Sequence, residues 1–279
     1  MTIRDTAGWV APAPQIGAVL HSFSVRVLGC VIRFEAQSDQ ARELLDRHLF
    51  PSLRREAADP EQSDIKVRIA ESEGDSRLIV NDVVIASADQ PTALLRQLID
   101  WLDRTLVQRL SGLHAVHAGA VLMGGKALVL PGASHSGKSS LVAELLRRGA
   151  VCLSDEYALI DAEGLVHAYP RTLLLRDGAV AQIPVAPREL DATVATTPTR
   201  VGWILALRYD RAACWSIQPE PQSASLLTLL QNTPHVLAER PEMVSAFQKA
   251  VAGAACYSGS RAEAADAVTH ILRLVSAST

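Results

Sequence analysis

The stretch Gly132-Ala-Ser-His-Ser-Gly-Lys-Ser139 limits what this chain can fold into more than any other. It has the spacing G-x-x-x-x-G-K-S, and its flanks supply what that spacing needs. Upstream, Ala127-Leu-Val-Leu130 is an apolar run short enough for a buried strand. Downstream, Leu141, Val142, Leu145 and Leu146 fall at helical spacing, and Gly149 sits where a C-terminal cap belongs. Strand, glycine loop and helix in that order are the context of a phosphate-binding loop.

The chemistry follows from the backbone. Glycines at 132 and 137 allow a tight turn whose N–H groups point into one hollow. The helix start adds unpaired N–H groups and a positive dipole end, and an oxyanion settles there. The expected phosphate contacts run through Gly132, Ala133, Ser134, His135, Ser136, Gly137, Lys138, Ser139 and Ser140. Lys138 would reach the β- and γ-phosphates of ATP, and the Ser139 hydroxyl would hold Mg²⁺. A Lys in a first helical turn is unfavourable by up to about 1 kcal/mol unless an anion offsets it. A Ser/Gly loop that merely caps a helix is the plainer alternative.

One helix further on, Val151-Cys-Leu-Ser-Asp-Glu156 reads as a strand ending in two acids. Acids at such a strand end lie beside the phosphate loop in open α/β sheets. There an Asp can bind Mg²⁺, directly or through water, and a second acid can take a proton from the attacking group, so Asp155 and Glu156 are candidates for these roles beside Ser139. Arg171 follows Pro170, which stiffens its approach, and is a candidate clamp on the transferred group, with Arg176 as a second choice.

The rest of the chain is organised around this. Residues 1 to about 15 read as a Pro- and Ala-rich tail without the apolar block of a signal peptide. Short alternating strands, a hairpin at Asn81-Asp82 and one helix from Asp39 make residues 1–90 an α+β domain. A helix over Pro91–Leu110 connects it, across 91–112, to a domain over 113–279. There Gly124-Gly125 folds two strands directly into the loop, and helices end the chain, the last over Arg261–Val275. Pro184–Pro198 reads as a proline-broken connection. Four scattered cysteines show no metal spacing, and Cys30 and Cys152 lie in apolar runs as core thiols. A net charge of −3 gives no bulk attraction to nucleic acid or to an anionic membrane. No apolar run approaches the roughly 20 residues of a membrane span, so a cytoplasmic protein is expected.

Three stretches together carry a resemblance: His117-Ala-Gly-Ala-Val, the loop itself, and Arg148-Gly-Ala-Val-Cys-Leu-Ser-Asp-Glu156. They resemble the catalytic domain of HPr kinase/phosphorylase over residues 113 to about 180. The chain as a whole is closer to stand-alone relatives, some of which phosphorylate ribosomal peptides such as lasso precursors. The resemblance implies an α/β fold: a P-loop kinase domain of HPr-kinase type behind a smaller N-terminal α+β domain. It implies ATP and Mg²⁺ as cofactors and a peptide or small protein as acceptor, and it leaves a homo-oligomer open, since the bifunctional relatives form rings. It also makes Asp155 the base on a serine hydroxyl, puts Glu156 with Ser139 on the metal side and places His117 near that acid. Two departures matter. Glu156 stands where the family has a second Asp, and the downstream E-x-R-G signature is missing, which points to a kinase without the reverse phosphorolysis.

The expected activity is therefore transfer of the γ-phosphoryl group of ATP to a serine hydroxyl. A P-loop ATPase or nucleotide-operated switch is the alternative, with Glu156 positioning water and Asp155 holding the metal. A binding module without catalysis is the third, against which the intact Lys138, Ser139 and acid pair stand.

Overall fold

Three two-residue turns set much of the strand pairing. Leu28-Gly29 (φ 51° and 82°), Asn81-Asp82 (48° and 65°) and Gly124-Gly125 (52° and 74°) each have positive φ at both positions. That is the geometry whose twist matches the strands of a tight hairpin. The computed structural model describes residues 19–53, 62–72, 74–132, 136–177, 181–234 and 241–277. The sequence expectations for the N-terminal tail, for most of 54–63, and for Ala133, Ser134 and His135 of the loop lie outside the described residues. By contacts the chain divides into two compact units, residues 1–46 with 54–102, and residues 47–53 with 103–279.

The first unit holds a five-stranded sheet in the order β1 (His21–Val27), β2 (Cys30–Ala36), β3 (Ile65–Ser72), β4 (Asp75–Val80), β5 (Val83–Ala88). All neighbours are antiparallel except β2 and β3, which run parallel because α1 (Asp39–His48) lies between them in sequence. Ile32, Phe34, Ile65, Val67, Ile69 and Leu78 are fully buried, so alternate residues of each strand supply the core. On β2, Glu35 (3% exposed) is held by Arg33 and Arg68. The division between units falls within α2 (Pro91–Gln108), the helix expected as a connector.

The second unit is a mixed sheet with helices on both faces. Its order is β10 (Leu165–His167), β9 (Tyr157–Asp161), β6 (Leu113–Met123), β7 (Lys126–Pro131), β13 (Thr199–Tyr209), β15 (Ala255–Arg261), β14 (Ser216–Pro219), with β8 (Val151–Ser154) also on β6. β7, β13 and β15 are mutually parallel. The sheet curls until β10 pairs with β13 as well. One face carries Val121, Leu128, Leu130 and Trp203 against α3 (Lys138–Arg147) and α6 (Ala264–Ala277). The other carries Val116, Ala118, Ala120 and Val129 against α4 (Gln222–Gln231) and α5 (Pro241–Val251). Side chains buried on both faces are what parallel central strands require.

Several local expectations change. Pro184–Pro198 is structured: β11 (Leu173–Asp177) and β12 (Ala181–Val185) form a hairpin, a 3₁₀ turn follows at Pro187–Leu190, and Val194 bridges Cys152. Arg261 ends β15, and the final helix starts at Ala264. Cys30 and Cys152 are buried as expected, and burial pushes the Cys152 thiol up to about 12. No helix among the described residues is long and apolar enough to cross a membrane.

Candidate active site

β6 is the spine of the site. On one side its second half pairs with β7, Ala118 opposite Pro131 and Gly119 opposite Leu130. On the other side β9 pairs with its first half, ending with His117 opposite Tyr157. β8 takes up the same side further along, with Ala120 opposite Ser154. β8 and β9 therefore run as one strand along β6, and Asp155 and Glu156 occupy the break between them. Ala118 N–H still donates to the Glu156 carbonyl at 3.1 Å, while Gly132 N–H donates to the His117 carbonyl at 3.3 Å. His117–Gly119 thus has the loop entrance on one side and the acid pair on the other. The Ser154 hydroxyl accepts the amides of Glu156 (3.2 Å) and Tyr157 (3.0 Å), which satisfies donors freed by the bend.

β7 and β8 are both antiparallel to β6, so they run in the same direction and their carboxyl ends emerge at one edge. The expected neighbourhood of loop and acids is present, with one antiparallel strand between them. Continuing the register places Asp155 opposite Gly119, hence on the same face of the sheet. That is the face α3 covers: a Cβ on Gly119 would lie 2.6 Å from Val142 Cγ2. Asp155 accordingly meets the first turn of α3, where Ser139 and Lys138 act on it.

Asp155 is 2% exposed, and neither of its carboxyl oxygens has a hydrogen-bond partner of normal geometry among the described residues. The Ser139 hydroxyl interacts with it without closing such a bond. Burial raises its pKa; Arg171 opposes the rise, Glu156 adds to it, and Ser139 and Lys138 oppose it. Glu156 is the reverse case. Its Oε1 lies 3.1 Å from His117 Nε2, and its Oε2 accepts from Arg171 Nη2 at 2.9 Å. Burial alone would raise its pKa, but the His117 bond and the Arg171, His117 and Lys138 charges bring it down to about 2.

Arg171 is itself buried, at 5% exposed. Its Nε faces Asp103 Oδ2 at 3.2 Å, and its Nη1 donates to the Thr172 carbonyl at 3.2 Å. Asp103, on α2, also accepts the Tyr169 hydroxyl at 2.6 Å. Burial disfavours the charged guanidinium, but Asp103, Glu156 and Asp155 together hold its pKa above the ordinary value. The guanidinium expected to meet a transferring group is committed here to protein partners, and it reaches the site through Glu156. Arg176 lies on β11 and is exposed.

At the loop, Gly137 takes φ 79° as the cap of α3, and among the described residues no side chain caps the helix. Lys138 is 9% exposed, and its Nζ donates to the Gly132 carbonyl at 2.8 Å. Burial lowers its pKa, with Glu156 and Asp155 pulling it back. The Ser136 hydroxyl is buried without a hydrogen-bond partner among the described residues. His114, on β6, lies edge-on to Phe247 at 6.3 Å.

The fold thus brings together His117, Lys138, Ser139, Asp155, Glu156 and Arg171. It adds Asp103, which no spacing marks because it reads as one acid of an amphipathic helix, and Arg261, which ends β15 against the loop. The start of α3, the Lys138 ammonium and the Asp155 carboxyl bring amide, cationic and acidic groups to one place. Among the described residues no group of three or more His, Cys, Asp and Glu could hold a metal. Mg²⁺ in nucleotide sites usually takes one or two carboxylates plus substrate phosphates. Ser139 and the acid pair match that pattern.

No protein-family model matches the chain, and no curated protein does. Among solved structures, the chain is similar to the Hpr(Ser) kinase/phosphatase from Coxiella burnetii. The two are 15% identical over 58% of this chain and 98% of that one, with a TM-score of 0.29. A likeness of that score carries no argument, and the functional reading rests on the residues and their geometry.

Proposed function

We propose that the chain is an ATP-dependent kinase of HPr-kinase type that transfers the γ-phosphoryl group to a serine hydroxyl of a peptide or small protein. One observation carries the reading: the Asp155 carboxyl is buried and raised in pKa, and beyond the Ser139 interaction neither oxygen makes a hydrogen bond of normal geometry among the described residues. An unsatisfied buried polar group costs about 1–3 kcal/mol, and a charged one more. A site that keeps one beside a cationic helix end is arranged for a ligand that completes it. A raised carboxyl is also a better proton acceptor for an alcohol than an ordinary one, as general-base work requires.

The roles follow. The amides from Gly137 onward and the Lys138 ammonium bind and orient the phosphates of the substrate ATP. Asp155 takes the proton of the attacking hydroxyl. His117 and Arg171 fix Glu156, so that one acid of the pair stays ionised while the other is free to change state. Ser139, with a carboxylate of the pair, would hold Mg²⁺, whose charge neutralises the β- and γ-oxygens. A ribosomal peptide acceptor, such as a lasso-peptide precursor, follows from the sequence resemblance.

The test is incubation with γ-labelled ATP and Mg²⁺ in the presence of serine-containing peptides. Label on peptide serine is the expected result. Release of labelled phosphate at a rate indifferent to added peptide would replace this reading by the ATPase or switch, since the same carboxyl can take a proton from water.

A further inference from the structure

Arg261 is a buried cation with an unusual set of partners. It is 2% exposed, at the carboxyl end of β15. Its Nη2 donates to the Gly137 carbonyl at 2.7 Å and reaches the Ser136 carbonyl at 3.5 Å, and its Nη1 donates to the Ala262 carbonyl at 2.8 Å. The Tyr209 ring lies against the guanidinium, 5.3 Å away. The nearby Glu263 accepts the Tyr209 hydroxyl at 3.0 Å, and no ion pair to Arg261 occurs among the described residues.

Two consequences follow. A buried charge needs a counter-charge, and carbonyl oxygens supply only part of one. Burial accordingly pulls the Arg261 pKa below its ordinary value, and Tyr209 and Glu263 offset it only in part. In a planar trans peptide, moreover, the C=O and the following N–H point in opposite directions. A guanidinium that holds the carbonyls of Ser136 and Gly137 on one side turns the N–H groups of Gly137 and Lys138 to the other. The fit is close: a Cβ on Gly137 would lie 2.5 Å from Arg261 Nη2. A side chain at 137 would therefore displace the guanidinium, besides being strained at a φ of 79°.

We propose that Arg261 is a positioning residue of the phosphate site: it aims the amides of Gly137 and Lys138 at the polyphosphate of a nucleoside triphosphate and supplies buried positive charge behind them. The assignment rests on reading the loop as a nucleotide site.

Calorimetric titration of the full chain with ATP·Mg²⁺ and, separately, with inorganic tripolyphosphate tests it in the wild type, Arg261→Met, Arg261→Lys and Lys138→Met. Arg261→Met is expected to weaken both ligands by about tenfold. Arg261→Lys, which keeps the charge and loses the fork, should recover part of that. A structural role alone would lower the unfolding temperature without this shared loss. The amide resonances of residues 137–139 in the ligand-free protein give a second readout, and they should shift in Arg261→Lys. Should Arg261→Met fail to fold, Arg261→Lys carries both measurements, with binding and resonances like those of the wild type overturning the proposal. Binding in Arg261→Met equal to wild type, or a loss confined to ATP, would remove the assignment while leaving the nucleotide site intact, provided Lys138→Met abolishes binding. Wild-type protein that binds neither ligand overturns the nucleotide reading and this one with it.

Discussion

Arg171 holds Glu156 at 2.9 Å from a position only 5% exposed, and with His117 it gives Glu156 partners that the adjacent Asp155 does not share. Glu156, paired to Arg171 and His117, is brought down to about 2. Asp155, immediately before it, is pushed up by burial, which Arg171, Ser139 and Lys138 oppose only in part. Two neighbouring titratable groups driven apart by their surroundings are the usual mark of an acid–base pair.

The Glu156 pairing predicts a pH dependence of stability. Its folded pKa of about 2 lies below its ordinary 4.5, so its contribution is fully present above about pH 4.5 and is lost as pH falls towards 2. Denaturant unfolding of Glu156→Gln against wild type should show a gap on the order of 3 kcal/mol at pH 7 that narrows below pH 4.5. A gap constant from pH 7 to pH 3 would show that the pairing contributes no proton linkage.

Removing the other partner should cost more. Arg171→Met leaves Asp103 and Glu156 facing each other's surroundings without their cation, and breaking a buried pair this way typically costs about 3–5 kcal/mol. Thermal unfolding should fall accordingly. An unfolding temperature within a degree or two of wild type would mean that the network is solvated in solution.

Lys138→Met makes the opposite prediction for the ligand-free protein. The ammonium is nearly buried and its pKa is lowered by that burial, so replacing it with an apolar chain of similar length should leave stability unchanged or higher. The stabilisation by added ATP·Mg²⁺ should vanish. Retention of that stabilisation in Lys138→Met would show that the phosphates bind elsewhere.

Gly119→Ala tests the packing that delivers Asp155 to α3. The added Cβ would stand 2.6 Å from Val142 Cγ2, and valine has little freedom to turn away. Overpacking of this kind costs about 1–3 kcal/mol. Stability is expected to drop and a Gly119→Ala/Val142→Ala double variant to recover part of it; failure of the double variant to recover any would locate the constraint in another neighbour.

The strand and helix that flank residues 132–139, the place of the acid pair at a strand end and the turns at Asn81-Asp82 and Gly124-Gly125 are legible in sequence, because each rests on local spacing or on residues that tolerate positive φ. What escaped was set by long-range pairing. β15 reads Ala255-Cys-Tyr-Ser-Gly-Ser-Arg261, without the β-branched run that marks a central strand, and its place comes from lying between β13 and β14. In sequence, Arg261 therefore reads as the start of the last helix. Asp103 looks like any acid on a helix until Tyr169 and Arg171, more than sixty residues away, are brought to it. Pro184–Pro198 appeared broken because three prolines mask a hairpin strand and a 3₁₀ turn.

Asp155→Asn offers the most direct test of the central claim, measured as the rate of label transfer from γ-labelled ATP together with the affinity for ATP·Mg²⁺. The amide keeps the shape and loses the ability to accept a proton. Transfer should fall by about 10²–10⁴-fold while binding stays within a few-fold of wild type. Transfer at the wild-type rate would contradict the account, since the buried carboxyl at position 155 would then have no part in the reaction.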